Sequence, residues 1–387
     1  MKFKNNSSQL SFNSRYSVKY SIEKFFELDM FNPFNQKKYF SQYNLSIFKN
    51  KIFRTHVFGM GGSSLSSKLL AQFLNPNLIN KNLFIYDNPS PVFIKSTLAN
   101  LKIGNKDKFI FISKSGNTIE TKYFLHLIID ILKKKKIKNI FSKFIFVTEN
   151  NENYMRNFAN QNKILTFDHD PDIGGRFSIF SITGLLPLIT MGYSLEPLIK
   201  SFLNAKNKFI KNHKKLSNNI LSSLKYEDSK KLSNLIGLSY HDRINTVNEW
   251  YRQIFAESLG KNKKSKNYIS SYGSIDQHSQ FQLFIDGPCD KHFIFFRIHK
   301  HNKSSTIKNK RQLIDGYNLH SILETGAIKT LQQKKTLVSQ IIIEEKFDDY
   351  IYLLFYLIFD TYLRSKVAQI NFLDQPAVEI LKKNTRA

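Results

Sequence analysis

The sequence predicts an α/β fold in which parallel strands are covered by helices on both faces. Short, continuous apolar runs alternate along the chain with longer segments of helical spacing, which is typical of strands buried in a parallel sheet. The 387 residues are enough for two domains, because a domain usually takes about 100–200 residues. With 41% hydrophobic and 23% charged residues, the composition is that of a globular protein rather than a disordered or fibrous one.

The first half of the chain contains five predicted strands. Residues 1–45 are polar and aromatic with weak helical spacing, so an N-terminal helical segment is predicted there. The strands follow at residues 53–58, 83–86, 109–113, 144–148 and 164–167. A long helix with apolar residues at helical spacing, among them Leu125 and Leu132, follows the third strand. We expect a first α/β domain over residues 46–195.

The second half repeats this alternation after a helical connector. Residues 196–232 are rich in lysine, asparagine and serine and have helical spacing. Strands are predicted near residues 235–238, 293–298 and 338–343, and helices over 247–259 and 319–331. We therefore expect a second α/β domain over residues 233–345. A long helix over 348–368 then begins a C-terminal helical segment, residues 346–387.

The chain is strongly basic, with 58 Lys+Arg against 30 Asp+Glu and a net charge of +28. Such an excess can mark a nucleic-acid-binding protein. Here the lysines are scattered, and they accompany many Asn, Ile, Phe and Tyr residues, as expected from AT-rich codons. The charge favours anionic substrates, and we do not expect nucleic acid as the partner, although that alternative stays open.

Neither a membrane span nor a disulfide framework is expected. The longest apolar run, residues 350–359, lies between Asp349 and Asp360 and is shorter than the roughly 20 residues that cross a bilayer. It predicts a buried helix. The single cysteine, Cys289, excludes an intramolecular disulfide and fits a reducing compartment. Because the N-terminal residues lack the apolar stretch of a signal peptide, we expect a cytoplasmic protein.

Two turns between a predicted strand and a helix have the composition of anion-binding loops. In FISKSGNTIET, residues 111–121, hydroxyl side chains and Gly116 precede a helix N-terminus, where backbone N–H groups and the helix dipole attract phosphate. An ordinary capped turn is the alternative. GMGGSS, residues 59–64, brings glycines to a second such turn. Neither segment has the spacing of a nucleotide P-loop or a dinucleotide fingerprint.

Further candidate groups for chemistry follow later in the chain. Arg176, after two glycines, can place a fixed cation where negative charge develops. Gln253 and Glu257 are four residues apart and share a helix face, and a partly desolvated Glu257 is a candidate base. The alternative is a surface glutamate paired with Lys261. His299 and His301 have no neighbouring carboxylate or cysteine in sequence, so no metal site is expected there.

Six segments in chain order together resemble the phosphoglucose isomerase family. They are GMGGSSL, SKSGNTIET, GGRFS, WYRQIFAESLGK, DQHSQFQL and LDQPAVEILK, and they extend from Gly59 to Lys382. The resemblance implies two sugar-isomerase (SIS-type) domains, each a parallel sheet flanked by helices. It also implies reversible isomerisation of glucose 6-phosphate and fructose 6-phosphate through a cis-enediol. The chain resembles a short bacterial form of the family.

The resemblance also assigns roles to individual residues. It makes Glu257 the enediol base and Arg176 the group that stabilises the enediolate. His278 and Lys382 would assist ring opening. The phosphate loop would comprise Ser113, Lys114, Ser115 and Thr118. Further substrate contacts would come from Gly62, Ser63, Gln253 and Gln375.

The family resemblance implies no metal and no organic cofactor, and a homodimer in which His278 reaches the site of the neighbouring subunit. Two alternatives to this function stay open. One is a related enzyme that also isomerises mannose 6-phosphate. The other is a catalytically silent sugar-phosphate-binding regulator, against which the joint presence of Glu257, His278, Arg176 and Lys382 argues.

Overall fold

The computed structural model describes residues 1–5, 16–36, 38–99, 102–263, 265–299 and 316–386. The chain forms two compact units. The first unit is Phe26–Lys200, and the second unit combines Met1–Phe25 with Ser201–Ala387. The domain boundaries given above remain predictions.

The described residues form strands and helices in alternation, as predicted. The strands are β1 (Lys2–Asn5), β2 (Arg54–Phe58), β3 (Leu83–Tyr86), β4 (Asp107–Ile112), β5 (Phe144–Thr148), β6 (Leu165–Asp168), β7 (Asn234–Ser239), β8 (Asn267–Tyr272), β9 (Lys291–Ile298) and β10 (Leu337–Ile343). The helices are α1 (Ile22–Phe26), α2 (Asn32–Asn35), α3 (Gly62–Leu74), α4 (Pro91–Ala99), α5 (Ile119–Lys134), α6 (Tyr154–Asn162), α7 (Ile182–Thr190), α8 (Leu195–Ser229), α9 (Asp242–Leu259), α10 (Gly273–Ser279), α11 (Phe281–Asp286), α12 (Gly316–Gln333), α13 (Phe347–Ala368) and α14 (Pro376–Arg386).

The first unit is built on a parallel sheet with the strand order β3-β2-β4-β5-β6. All five predicted strands of this half are confirmed. Their aromatic side chains stack across neighbouring strands. Phe58 lies 4.4 Å from Tyr86 and 4.8 Å from Phe111 between ring centroids. Because the strands run parallel, their carboxyl ends meet at one edge of the sheet, where a ligand site is expected.

The second unit contains a sheet with the order β1-β10-β9-β7-β8. The three predicted strands of this half are confirmed as β7, β9 and β10, which run parallel. The α/β fold class is therefore confirmed. The sheet has two further strands that the sequence analysis did not predict. The N-terminal segment, predicted as helical, contributes β1, which pairs antiparallel with β10, and β8 lies at the opposite edge.

The two strands that were not predicted, β1 and β8, lack the continuous apolar run that predicted the other strands. β1 is four residues, KFKN, in which two lysines interrupt the apolar pattern. β8 is NYISSY, in which only Tyr268 and Ser271 are buried, because an edge strand is covered less completely than a central one. Neither strand therefore contains a continuous apolar run.

The apolar run at residues 350–359 forms the middle of the buried helix α13, as predicted. None of the helices in the described part of the chain has the length and hydropathy of a membrane-spanning segment.

A buried charge network joins α8, α9, α13 and β9 in the second unit. Arg364 on α13 donates two hydrogen bonds to Glu227 on α8, at 2.8 and 2.9 Å, and His292 contacts the same carboxylate at 2.8 Å. Burial alone would raise the pKa of Glu227, but Arg364 and His292 hold it well below its usual range. Arg364 also binds Asp360, which accepts a hydrogen bond from Tyr251 on α9. The network thereby fixes α9, which carries Glu257.

Candidate active site

The turn after β4 gathers hydroxyl groups in front of a helix N-terminus. Ser113 is buried, and its hydroxyl forms a 2.8 Å hydrogen bond with that of Thr118. Thr118 precedes the first residue of α5 without capping the helix through its side chain. Gly116 has a φ of +62°, and a Cβ there would lie 1.8 Å from Asn153 Oδ1. Only glycine therefore fits at this bend between the two hydroxyl residues.

The Lys114 side chain is directed at a neighbouring loop. Its ammonium group donates to the carbonyl oxygens of Pro171 at 2.7 Å and of Ile173 at 3.1 Å. It also lies 3.6 Å from a carboxylate oxygen of Glu149. These contacts tie the turn after β4 to the loop that leads from β6 to Arg176.

The turn after β2 packs against the segment that carries Arg176. A Cβ on Gly62 would lie 2.0 Å from the Gly175 carbonyl oxygen and 2.9 Å from the Arg176 Cα. Gly61 adopts a positive φ of 55°, and Ser63 donates its N–H to the Met60 carbonyl at 3.1 Å. The glycines of this turn therefore allow backbone-to-backbone contact with the Arg176 segment, and α3 starts at that contact.

Arg176 lies in a 3-10 turn, Gly175–Phe180, at the carboxyl edge of the first sheet. Its side chain is only 3% exposed, and the guanidinium lies 4.7 Å from the centroid of the Phe177 ring. A guanidinium held against an aromatic face has little freedom, so its positive charge occupies a fixed place.

In the second unit, Glu257 lines an open cleft. Gln253 Nε2 donates to Glu257 Oε1 at 2.9 Å along one face of α9. The cleft has a volume of about 880 Å³, and its wall includes Glu257 and Gln375. Gln375 directly precedes α14. The fold therefore brings Gln375 to the same cleft as Glu257, although the two residues lie far apart in sequence.

The residue predicted as the alternative partner of Glu257 makes other contacts. Lys261 forms an ion pair of 2.6 Å with Asp374 and donates to the carbonyl oxygens of Ser258 and Asn371. Lys261 was not among the site residues predicted from the sequence. Its place at the end of the WYRQIFAESLGK segment was the available signal.

His278 is exposed on the short helix α10 and is not among the residues that line this cleft. The helix itself is well anchored. Asp276 accepts the Tyr272 N–H at 2.7 Å, and Tyr240 donates to Gln277 at 2.9 Å. Lys382 lies on α14, and its side chain is outside the described residues.

The predicted site residues thus form two groups, one in each unit. The first unit holds Gly62, Ser63, Ser113, Lys114, Ser115, Thr118 and Arg176 around the carboxyl edge of its sheet. The second unit holds Gln253, Glu257, His278, Gln375 and Lys382. Of these, Glu257 and Gln375 line the cleft, and Gln253 is hydrogen-bonded to Glu257. The chemistry available is anion binding in one unit and proton transfer by a carboxylate in the other.

Comparison with known proteins finds relatives that are named glucose-6-phosphate isomerases. A glucose-6-phosphate isomerase of Campylobacter jejuni is 33% identical over 84% of this chain and 82% of its own length. A probable glucose-6-phosphate isomerase of Methanococcus maripaludis is 28% identical over 92% of this chain and 82% of its own length.

Solved structures agree in fold. A hypothetical protein of Thermus thermophilus aligns with a TM-score of 0.78 at 22% identity, covering 94% of this chain and 92% of the other. A glucose-6-phosphate isomerase of Chlamydia trachomatis aligns with a TM-score of 0.72 at 18% identity, covering 88% of this chain and 70% of the other.

The family match covers both units. The family model described as phosphoglucose isomerase matches residues 42–342, a range that contains the turns after β2 and β4, Arg176, Glu257 and His278. This chain belongs to the phosphoglucose isomerase family.

Proposed function

We propose that this protein catalyses the reversible isomerisation of glucose 6-phosphate and fructose 6-phosphate. The observation that carries the proposal is the Glu257 carboxylate, which is held by Gln253 at 2.9 Å on the wall of a cleft that Gln375 also lines. A positioned carboxylate beside a cleft of this size is suited to move a proton between adjacent carbons of a bound sugar. The identity of the proposed substrate rests on the relatives that are named glucose-6-phosphate isomerases.

In the proposed reaction, the phosphate binds at the turn after β4. Ser113, Ser115 and Thr118 supply hydroxyl groups, and the α5 N-terminus supplies backbone N–H groups and its dipole. The Lys114 ammonium holds the adjoining loop, while its backbone belongs to the turn. Binding the phosphate remote from the reacting carbons fixes the sugar for proton transfer.

Glu257 then removes the proton from C2 and returns it to C1, so that a cis-enediol forms and collapses. Arg176 stabilises the negative charge that develops on the sugar oxygens. Its guanidinium is already confined by burial and by the Phe177 ring, so little reorganisation is needed during the reaction. Gly62, Ser63, Gln253 and Gln375 complete the substrate contacts. Every step is a proton transfer, so no metal or organic cofactor is invoked.

Ring opening precedes isomerisation and is assigned to His278 and Lys382. Because His278 is exposed and does not line the cleft that Glu257 faces, we propose that it acts in the site of a second subunit, in a homodimer. The single cysteine, Cys289, is exposed and unpaired by a disulfide, which supports a reducing, cytoplasmic location.

The function is tested with purified protein and fructose 6-phosphate, with glucose 6-phosphate detected by a coupled dehydrogenase. We expect Glu257→Gln to lower kcat by about 10²–10⁴-fold, the usual cost of losing a general base. Glu249→Gln is the matched control, because Glu249 lies on the same helix, is half-buried and accepts a hydrogen bond from Tyr272.

Wild-type protein that binds the sugar phosphate without converting it would favour a regulator instead. Near-normal exchange of the C2 proton with solvent in Glu257→Gln would overturn the role of Glu257. Running the same assay on mannose 6-phosphate decides whether the enzyme also accepts that epimer.

A further inference from the structure

We propose that Lys261 is a positioning residue, which holds the segment before α14 against the end of α9 and so sets Gln375 relative to Glu257. The inference rests on the proposed function, since it concerns the geometry of the same cleft. In this proposal Lys261 takes no direct part in the reaction.

Three contacts define this position. The Lys261 ammonium donates to the Ser258 carbonyl at 2.9 Å and to the Asn371 carbonyl, and it forms an ion pair of 2.6 Å with Asp374. Its side chain is 13% exposed, whereas the Asp374 side chain is 52% exposed. The ammonium group therefore uses its three donors on protein atoms, and little of the Lys261 side chain is exposed.

The contacts join the two parts of the chain that supply the cleft. Ser258 directly follows Glu257 at the end of α9, and Asp374 directly precedes Gln375. The two segments lie 110 residues apart along the chain, counted from Lys261 to Asn371. α9 ends at Leu259, so a cation just beyond it also interacts favourably with the helix dipole.

Lys261 is fixed on its own side of this bridge by α9. The Gly260 N–H donates to the Ala256 carbonyl at 2.9 Å, and the Lys261 N–H donates to the Leu259 carbonyl at 2.7 Å. On the other side, the Leu373 N–H donates to Asn371 Oδ1 at 3.0 Å, which closes a local turn. Both ends of the bridge are therefore held by local hydrogen bonds, and the ammonium group joins them.

Removal of the ammonium group is expected to lower turnover more than binding. Lys261→Met keeps the length of the side chain and removes its three donors. Since a misplacement of about 1 Å can cost about 10²-fold in rate, we expect kcat to fall about 10–100-fold. KM for fructose 6-phosphate should change less than about threefold, because the proposed phosphate contacts lie in the first unit and are unaltered.

Two variants and one control separate positioning from a general loss of structure. Lys261→Arg retains a cation with several donors and should recover most of the kcat. Asp374→Asn removes the negative charge of the ion pair at a half-exposed carboxylate and should give a smaller loss in a protein that folds. Lys346→Met is the matched control, because Lys346 pairs with Glu344 at 3.1 Å where both side chains are exposed; it should behave as wild type.

Hydrogen–deuterium exchange gives a readout that is independent of activity. In Lys261→Met, amides of residues 371–375 should exchange faster, while those of α10 should stay unchanged. Normal exchange together with normal kcat would overturn the proposal. Lower kcat with unchanged exchange at 371–375 would also overturn it, because Lys261 would then act on the substrate directly. If wild-type protein shows no isomerase activity, the proposed function fails, and the exchange experiment still tests the bridge.

Discussion

Gly62 touches the backbone of Gly175 so closely that a Cβ on Gly62 would lie 2.0 Å from the Gly175 carbonyl oxygen. The contact fixes the start of α3 against the turn that carries Arg176. It also explains why a glycine-rich turn follows β2: the glycine allows two backbones to meet, and the predicted arginine lies directly after the contact.

Gly62→Ala should therefore displace the Arg176 segment. Overpacking of this kind typically destabilises a protein by about 1–3 kcal/mol, and the shift of Arg176 should lower kcat as well. Gly104→Ala is the control, since a Cβ on Gly104 meets nothing within 4 Å. Thermal unfolding followed by circular dichroism, together with kcat, measures both effects. A Gly62→Ala enzyme with wild-type kcat would contradict the proposed role of this contact.

The shared hydrogen bond of Ser113 and Thr118 leads to a second prediction. Thr118→Val keeps the side-chain shape and removes the hydroxyl group. A hydrogen bond to a charged group contributes about 1.5–3 kcal/mol, so KM for fructose 6-phosphate should rise about tenfold or more, with a smaller change in kcat. Inhibition by inorganic phosphate should weaken in parallel. Thr97→Val is the control, because the Thr97 hydroxyl donates to the Phe93 carbonyl within α4. Unchanged KM and unchanged phosphate inhibition would exclude Thr118 from the phosphate site.

The proposed action of His278 in the site of the neighbouring subunit is tested by mixing two impaired variants, Glu257→Gln and His278→Ala. In a heterodimer of Glu257→Gln with His278→Ala, one of the two sites receives both intact residues. Random pairing should therefore restore about a quarter of wild-type activity. His278→Ala alone should affect the cyclic sugar phosphate more than a short aldose phosphate that cannot close a ring. If co-refolded variants stay inactive while forming dimers, His278 does not act across the interface.

A buried cluster at the start of β2 and β4 predicts how stability depends on pH. Arg54 binds Asp107 at 2.6 Å, and His56 contacts Asp107 through Nε2 at 3.0 Å and the Tyr86 hydroxyl through Nδ1 at 3.2 Å. Burial lowers the pKa of His56, and the nearby Arg54 cation lowers it further, although the Asp107 carboxylate opposes them. His56 is therefore held neutral, with Nε2–H donating to Asp107 and Nδ1 accepting from Tyr86.

Because folding lowers the pKa of His56, the folded protein should lose stability at acidic pH. Below about pH 6.5 the unfolded chain protonates His56 while the folded chain does not, so the free energy of unfolding should fall as the pH drops from 7 to 5.5. His56→Gln should show a shallower decline in urea titrations across that range. Asp107→Asn should cost about 3 kcal/mol at pH 7, because it leaves a buried ion pair broken. Equal slopes for wild type and His56→Gln would contradict the neutral state of His56.

The sequence by itself predicted the α/β class and most strands, because strands buried on both faces must be apolar throughout. It also indicated the turns after β2 and β4 as candidate anion-binding loops, since glycine and hydroxyl residues there precede a helix N-terminus. Residues 111–121 and 253–257 are local patterns, and helix spacing alone predicts that Gln253 and Glu257 share a face. The resemblance to the family rested on six such local segments.

Only the tertiary structure decided which distant groups meet. β1 and β8 form because each pairs with a neighbouring strand through backbone hydrogen bonds. Neither contains a continuous apolar run that would predict a strand. Lys114 was predicted from the sequence as part of the phosphate loop, and the fold places its ammonium against the carbonyl groups of Pro171 and Ile173. Lys261 appeared as a neighbour of Glu257, and its ion pair is with Asp374. A long flexible side chain reaches several partners, and the fold alone selects which acceptors come within hydrogen-bonding distance.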